Sequence, residues 1–219
     1  MHVRQGDPAG VSKTGSDSAR RRGAHSRREL TAIAIDCFSR HGYQATSVDR
    51  IAKMAGVTKG AIYYHFRDKE ALLAAAVSER VEAFEQRVQR ACEGASCPDA
   101  LRRIAAVCIE HAESNDHPRF AITLMVESID NNEEISEQFR GMMRRFRAFL
   151  RNLIQQGQSS GEIRADADAT AAAAAYTSNI LGAEIQFYQD PERFAFRTSI
   201  ETFLDQLLKD VIHDGQPQE

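Results

Sequence analysis

The apolar residues of this chain recur at intervals of three and four along most of its length, which is the spacing of amphipathic helices. Two clear runs are Leu30, Ile33, Cys37 and Phe38, and Ile135, Phe139, Met142, Phe146, Phe149 and Leu153. No stretch shows the sustained alternation with a period of two that marks a half-buried strand. The pattern therefore predicts an all-α protein.

Capping residues divide the front of the chain into short helices. A hydroxyl followed three residues later by a carboxylate predicts a capping box, so Ser26 with Glu29 and Thr46 with Asp49 predict the starts of the first two helices. Gly56 predicts the end of the second helix. Thr58 and Asp68 predict the N-caps of a third and a fourth helix, and the fourth should reach about residue 91.

The rest of the chain predicts longer helices. We expect them over residues 98–113, 118–129, 133–158, 168–188 and 191–213, where prolines mark three of the starts. The predicted organisation is a disordered basic arm over 1–24, a three-helix domain over 25–72, a larger helical domain over 73–213, and a tail over 214–219.

The segment around Gly56 meets the requirements of a helix-turn-helix. Gly56 permits a tight turn, Ala52 is small where the two helices would touch, and Ile62 is apolar where the second helix would be held. At about 100° per residue, Ile62 and Phe66 then face inward. Gly60 and Tyr64 face outward with Ala61 and Tyr63 on the flanks, as in a helix that enters the major groove of DNA.

The charge distribution supports a polyanionic partner for the front of the chain. Residues 1–70 contain 13 lysines and arginines against 7 aspartates and glutamates, whereas the remainder contains 15 against 24. The net charge of −3 hides this division. A basic front and an acidic body indicate that only the front meets double-stranded DNA.

The segment from about Ser26 to Leu73 resembles the DNA-binding domain of the TetR family of transcriptional regulators. The residues that carry the resemblance include Phe38, Gly42-Tyr43, Ala45-Thr46-Ser47-Val48, Ile51-Ala52, Ala55-Gly56-Val57, Lys59-Gly60, Ile62-Tyr63-Tyr64-His65-Phe66 and Lys69-Glu70. The resemblance implies a homodimer that binds a palindromic operator, usually as a repressor, and is released by a small-molecule effector. It implies DNA contacts by Ser47, Thr58, Lys59, Tyr63, Tyr64, His65 and Lys69.

Four further residues complete the predicted DNA-binding set. Gly60 lets the backbone approach DNA, and Ala61 stands where relatives often have a polar base reader, so that it can touch at most a thymine methyl group. Arg27 and Arg28 continue the basic arm, which includes Arg20 to Arg22. These arginines either contact phosphates or form a solvated charged run.

The effector site is predicted less directly. Flexible methionine and aromatic side chains suit a ligand cavity, and a few polar groups orient the ligand. The candidates are Met125, Met142, Phe146, Phe149, Tyr176 and Asn179. The alternative is that these residues form an ordinary helical core.

Other classes of function are less favoured. No Ser/His/Asp ordering, glycine-rich phosphate loop or HExxH helix indicates an enzyme, and no cofactor is expected. The spacing around Cys108, His111 and His117 fits no familiar metal site. No apolar run is long enough to span a membrane, and without a secretory signal we expect a cytoplasmic protein with reduced cysteines. The remaining alternative is a helical adaptor that binds another protein without an effector.

Overall fold

The computed structural model describes residues 26–114 and 118–212. The helices in these ranges are α1 (Arg27–His41), α2 (Val48–Ala55), α3 (Lys59–His65), α4 (Lys69–Cys92), α5 (Cys97–Glu113), α6 (Pro118–Asn131), α7 (Glu133–Ser160), α8 (Ala169–Gln189) and α9 (Phe196–Val211). The predicted all-α fold is confirmed. An isolated β-bridge joins Ile163 and Ile212. The predicted arm over 1–24 and tail over 214–219 lie outside the described residues.

The chain divides into two compact units between Ala76 and Val77. In the first unit, α1 packs against α2 and α2 packs against α3. Its buried core includes Leu30, Phe38, Ile51, Ile62 and Phe66. These residues come from different helices, so the short α3 is held by contacts with its neighbours and not by its own length.

Local capping fixes the ends of the first helices as predicted. Ser26 caps α1 in a full capping box with Glu29, which also accepts a hydrogen bond from the Ser26 backbone N–H at 2.7 Å. Gly56 ends α2 in the left-handed region with φ of 66°. Thr58 caps α3, because its Oγ1 accepts from the Ala61 N–H at 3.2 Å. The helix-turn-helix geometry thus follows from local residues.

Two predicted helix starts were wrong. α2 is capped by Ser47, and the neighbouring Thr46 is buried, with its hydroxyl donating to the Gly42 carbonyl oxygen at 2.7 Å. The last helix begins at Phe196 and not at Pro191, because residues 191–194 form turns in which Phe194 N–H donates to the Asp190 carbonyl oxygen. At α2 the neighbouring hydroxyl residue had the same local chemistry as the true cap, whereas α9 begins after Ala195 without a side-chain cap, so no local signal marked its start.

In the second unit, α8 lies at the centre of the helix packing. It contacts α5, α7 and α9, and α7 also packs against α5 and α6. The shared core includes Leu101, Ile104, Leu150, Tyr176 and Ile200, all almost fully buried. Among the described residues, no helix combines the length and the apolar character required to cross a membrane.

Candidate functional site

Helix α3 separates buried and exposed residues sharply. Ile62 and Phe66 are 1% and 3% exposed, whereas Tyr63 and Tyr64 are 45% and 85% exposed. The only buried residue within α3 itself is Ile62. An exposed tyrosine pair on a seven-residue helix contributes little to the fold, so its side chains are free to contact a partner.

Gly60 leaves room beside the tyrosines. A Cβ atom added at Gly60 would meet only the Thr58 Oγ1, at 3.8 Å, which is an ordinary contact distance. Internal packing therefore does not require a glycine here. A glycine with open space in front of it allows a second molecule to approach the helix backbone closely.

Two hydroxyls stand at the starts of neighbouring helices. Ser47 Oγ accepts from the Arg50 N–H at 3.2 Å at the start of α2, and Thr58 Oγ1 accepts from Ala61 at the start of α3. Each hydroxyl still has its own proton to donate. Helix N-termini carry partial positive charge and suit phosphate oxygens.

Lys59 is exposed and paired with an acid from the preceding helix. Its Nζ donates to Asp49 Oδ2 at 2.8 Å, and this hydrogen bond raises the pKa of the Lys59 ammonium. The same Nζ lies 6.0 Å from the centroid of the Tyr63 ring. Exposed ion pairs contribute little to stability, so a phosphate oxygen can replace the carboxylate at small cost.

Lys69 is engaged within the fold. Its Nζ donates to the carbonyl oxygens of Tyr43 at 3.0 Å and Thr46 at 3.1 Å, and it lies 4.1 Å from the centroid of the Tyr43 ring. The lysine therefore holds the turn between α1 and α2 against the start of α4. This structural use leaves at most one ammonium proton for DNA.

The remaining predicted DNA-binding residues border the same region. His65 is half-buried and packs its ring edge-on against Tyr64, with centroids 5.0 Å apart. The Arg27 guanidinium lies over the Phe66 ring at 5.1 Å. Arg28 is exposed on the first turn of α1. Arg27 is thus partly used in packing, as Lys69 is.

The effector candidates differ in environment within the second unit. Met125, Met142, Phe146 and Phe149 are half-buried, and the two phenylalanines pack against the main core. Tyr176 is 1% exposed, and its hydroxyl donates to the Leu101 carbonyl oxygen at 2.8 Å. Asn179 Oδ1 is buried without a hydrogen-bond partner in the described part of the chain.

Two family profiles match the chain. Residues 30–76 match the bacterial regulatory proteins of the tetR family, and residues 98–213, more than half of the chain, match the C-terminal domain of BetI-type transcriptional repressors. This chain belongs to the TetR family of transcriptional regulators. It is accordingly a DNA-binding regulator with an N-terminal helix-turn-helix and a helical C-terminal domain.

Individual TetR-type relatives are similar over most of the chain. The fatty acid metabolism regulator protein of Bacillus subtilis is 28% identical over 142 residues, which are 64% of this chain and 72% of that protein. The structure of SmeT, the repressor of a Stenotrophomonas maltophilia multidrug efflux pump, has 25% identity and a TM-score of 0.71, covering 87% of this chain and 92% of SmeT. SmeT is also known in complex with triclosan.

A third structure matches in fold. The regulator FadR of Bacillus subtilis in complex with stearoyl-CoA has 22% identity and a TM-score of 0.70, and the match covers 86% of this chain and 100% of FadR. At this identity the likeness concerns the fold alone. The TetR fold is therefore shared along both units of the chain.

One polar residue of the TetR C-terminal domain was missed in the sequence. Glu184 is partly buried on α8, and burial raises the pKa of its carboxyl group to about 7. The signal was present: an acid stands four residues from Ile180 and from Tyr188, on a stripe that is otherwise apolar or aromatic. Acids are rarely buried without a partner, so an acid at this position indicates a carboxyl group whose pKa is changed by its surroundings.

The cysteines lie in apolar surroundings, and His117, one of the residues considered for a metal, lies outside the described residues. Cys37, Cys97 and Cys108 are buried, Cys92 is half-buried, and all four thiols are free. Burial raises the pKa of each, to about 11 for Cys97, which keeps the thiols protonated and unreactive. Within the described ranges, no three His, Cys, Asp or Glu side chains come together as a metal-binding group.

Proposed function

We propose that this TetR-family regulator is a homodimeric repressor that binds a palindromic operator and is released by a small-molecule effector. The observation that carries the proposal is the exposed face of α3. Its tyrosines stand in solvent beside Gly60, while Ile62 fixes the opposite face in the core. A recognition helix needs this combination of a rigid inner face and an unused outer face.

Phosphate contacts would come from the residues around that face. Ser47 and Thr58 supply hydroxyls at two helix starts. Lys59 supplies an ammonium group whose ion pair with Asp49 is exposed to solvent. Such contacts give affinity without sequence selection. Tyr63 and Tyr64 are the proposed base-edge and sugar contacts, and a DNA-bound regulator would act in the cytoplasm.

Fluorescence anisotropy tests DNA binding. The wild-type protein is titrated onto short duplexes, including DNA that flanks its own gene, beside Tyr64→Ala and the matched control Ile129→Ala, which removes an exposed apolar side chain from α6. We expect Tyr64→Ala to weaken operator binding by about tenfold or more and the control to leave it within about twofold. Affinity should also fall steeply with salt.

Association that is independent of both salt and DNA sequence would instead favour the adaptor function. In that outcome the exposed face of α3 would bind a protein, and Tyr64→Ala would weaken capture of that protein and not of DNA. A selection from random duplexes that returned no sequence would point the same way.

The homodimer is supported by the outer surface of α8. Ala171, Ala175 and Ser178 are exposed at helical spacing, and Gly182 has nothing within 4 Å of an added Cβ atom. Small residues in a row allow a second helix to approach closely, as in a four-helix interface formed by α8 and α9 of two subunits. Such a dimer carries two copies of α3, one for each half-site of a palindromic operator.

The variant Ala175→Glu tests this interface against Ala106→Glu, a matched change at an exposed alanine of α5. Sedimentation should show a dimer for the wild type and for the control, and a monomer for Ala175→Glu because its charges would be buried in the interface. A wild type that sediments as a monomer at micromolar concentration would contradict the homodimer.

Release by an effector is tested by thermodynamic linkage. A compound that lowers operator affinity by a given factor must itself bind the operator complex more weakly by the same factor. Calorimetry with and without operator measures both. Equal effector affinity in the two titrations would remove the release mechanism and leave DNA binding intact.

A further inference from the structure

Glu184 lies in the interface between α8 and α5. The row of α8 residues on this face consists of Tyr176, Ile180, Glu184 and Tyr188. The two ends of the row contact the α5 backbone. The Tyr176 hydroxyl donates to the Leu101 carbonyl oxygen at 2.8 Å, and the Tyr188 hydroxyl lies 3.5 Å from the Ala112 carbonyl oxygen. Glu184 lies between these contacts and therefore faces α5.

The charge of Glu184 has no internal partner. Among residues 26–114 and 118–212, no lysine, arginine or histidine forms an ion pair with it. Arg119, whose charge acts on Tyr188, donates to the Tyr188 carbonyl oxygen, and Arg87 pairs with Glu110 at 3.6 Å. The guanidinium groups of this region are thus committed elsewhere.

Titratable groups from the surrounding helices reinforce this isolation. They are Cys108 and His111 on α5, Arg87 and Glu85 on α4, Arg119 on α6, Arg145 on α7, Tyr188 on α8 and Arg197 on α9. Arg145 pairs with Glu85, and Arg197 with Glu113. The Glu184 charge acts on the buried thiol of Cys108 and on the half-buried phenol of Tyr188, which are weak acids and cannot neutralise it.

Aromatic rings border the same segment of α5. The Phe84 ring lies 5.4 Å from His111 and 6.3 Å from Phe146, and Phe187 lies 5.4 Å from Tyr188, measured between ring centroids. Aromatic faces beside a carboxylate without a counter-charge are complementary to positive charge.

We propose that Glu184 binds the charged group of an organic cation with an apolar body, and that this cation is the effector. The assignment rests on the proposed effector-controlled function. A carboxylate that is partly removed from water and has no counter-charge costs more free energy than an apolar side chain of the same size, and the raised pKa of the partly buried Glu184 reflects this cost. A cation that enters the α5–α8 region removes this penalty and gains contact with the neighbouring rings.

The proposal predicts proton release on binding. The free carboxyl group, with a pKa of about 7, is partly protonated at neutral pH. A bound cation stabilises the carboxylate and lowers that pKa, so binding of the cation should strengthen as the pH rises toward and through 7 and level off above it. Below this range the affinity should fall by up to about tenfold per pH unit.

The experiment compares phenyltrimethylammonium with tert-butylbenzene, its uncharged isostere, by titration calorimetry on the full chain without DNA. The proteins are the wild type, Glu184→Gln, which keeps the size and hydrogen-bonding capacity, and Glu127→Gln, a matched change at an exposed acid of α6. Titrations at about pH 6 and about pH 8 and in two buffers of different ionisation enthalpy measure the released proton.

We expect the wild type and Glu127→Gln to prefer the cation by about tenfold or more at the higher pH, with a proton released at the lower pH. In Glu184→Gln the preference should fall to about threefold or less. Equal binding of the two probes by the wild type, an unchanged preference in Glu184→Gln, or no binding of the cation would overturn the proposal.

Failure of this proposal and failure of the regulator function give different results. If the wild type binds an operator and other compounds release it while the cation preference is absent, only the role of Glu184 is wrong. If no operator is found, the calorimetric comparison still reports on Glu184, because it contains no DNA.

Discussion

Helices α3 and α8 place their polar side chains in opposite ways. On α3 the tyrosines stand in solvent and the fold makes little use of them, whereas on α8 Tyr176 and Glu184 point into the packing against α5. An exposed aromatic group is free to bind a large partner such as DNA. A buried polar group must be satisfied within the protein or by a molecule small enough to enter it.

The largest expected effect is on the inner face of α3. Ile62→Ala should lower the free energy of unfolding of the first unit by about 2–5 kcal/mol, because it leaves a cavity between the helices. The adjacent Tyr63→Ala should change it by less than about 1 kcal/mol, since Tyr63 is 45% exposed and lies outside the buried core. Urea titration followed by circular dichroism measures both, and similar losses would contradict the division of α3 into two faces.

The next effect concerns the partly buried acid of α8. The ordinary pKa of 4.5 applies to Glu184 in the unfolded chain and about 7 in the folded one. Below pH 4.5 the carboxyl group is protonated in both states and does not lower the free energy of unfolding. As the pH rises through 7, the folded protein must hold the charged form, and the free energy of unfolding falls. Glu184→Gln should be more stable than the wild type by roughly 2–3 kcal/mol at about pH 8 and by less than about 1 kcal/mol at about pH 5.

Thermal unfolding at the two pH values checks this sign, with Glu127→Gln as the control that should follow the wild type at both. A variant that is less stable than the wild type at high pH would mean that the Glu184 carboxylate has a stabilising partner in the free protein. That outcome would also remove the reason for a cationic effector.

A smaller effect is expected at the hydroxyl of Tyr176. Tyr176→Phe keeps the ring in the core and removes one hydrogen bond to the Leu101 carbonyl oxygen, which should cost about 0.5–1.5 kcal/mol. The same change at Tyr63 should have almost no effect on stability. If Tyr176→Phe instead leaves stability unchanged but weakens effector binding, the hydroxyl serves the ligand more than the fold.

The smallest effect on stability should have the opposite sign. Gly60→Ala puts a methyl group into open space in a helix, so it should stabilise the first unit by about 0.5–1 kcal/mol. It should nevertheless weaken operator binding by about tenfold, because the methyl group blocks close approach of DNA. Gly141→Ala, at a helix glycine of α7, should leave DNA binding unchanged, and anisotropy distinguishes the two.

Sequence patterns located the helices and the candidate DNA-binding face well. The face of α3 followed from the spacing of Ile62 and Phe66 alone, since a seven-residue helix can bury only one side. The sequence was less informative about Lys69, which was predicted to contact DNA and is found donating to carbonyl oxygens 23 and 26 residues earlier in the chain. Composition identifies a lysine but not its nearest acceptors.

The starts and stops of most helices were determined by the sequence itself. Ser26, Gly56 and Thr58 act on backbone groups within a few residues, so their effect hardly depends on the rest of the fold. Only the tertiary structure decided the roles of Tyr176 and Glu184. The Tyr176 hydroxyl donates to a carbonyl oxygen 75 residues away, and burial in the folded chain raises the pKa of the Glu184 carboxyl group. Burial and hydrogen bonding between remote segments depend on packing, which local patterns do not specify.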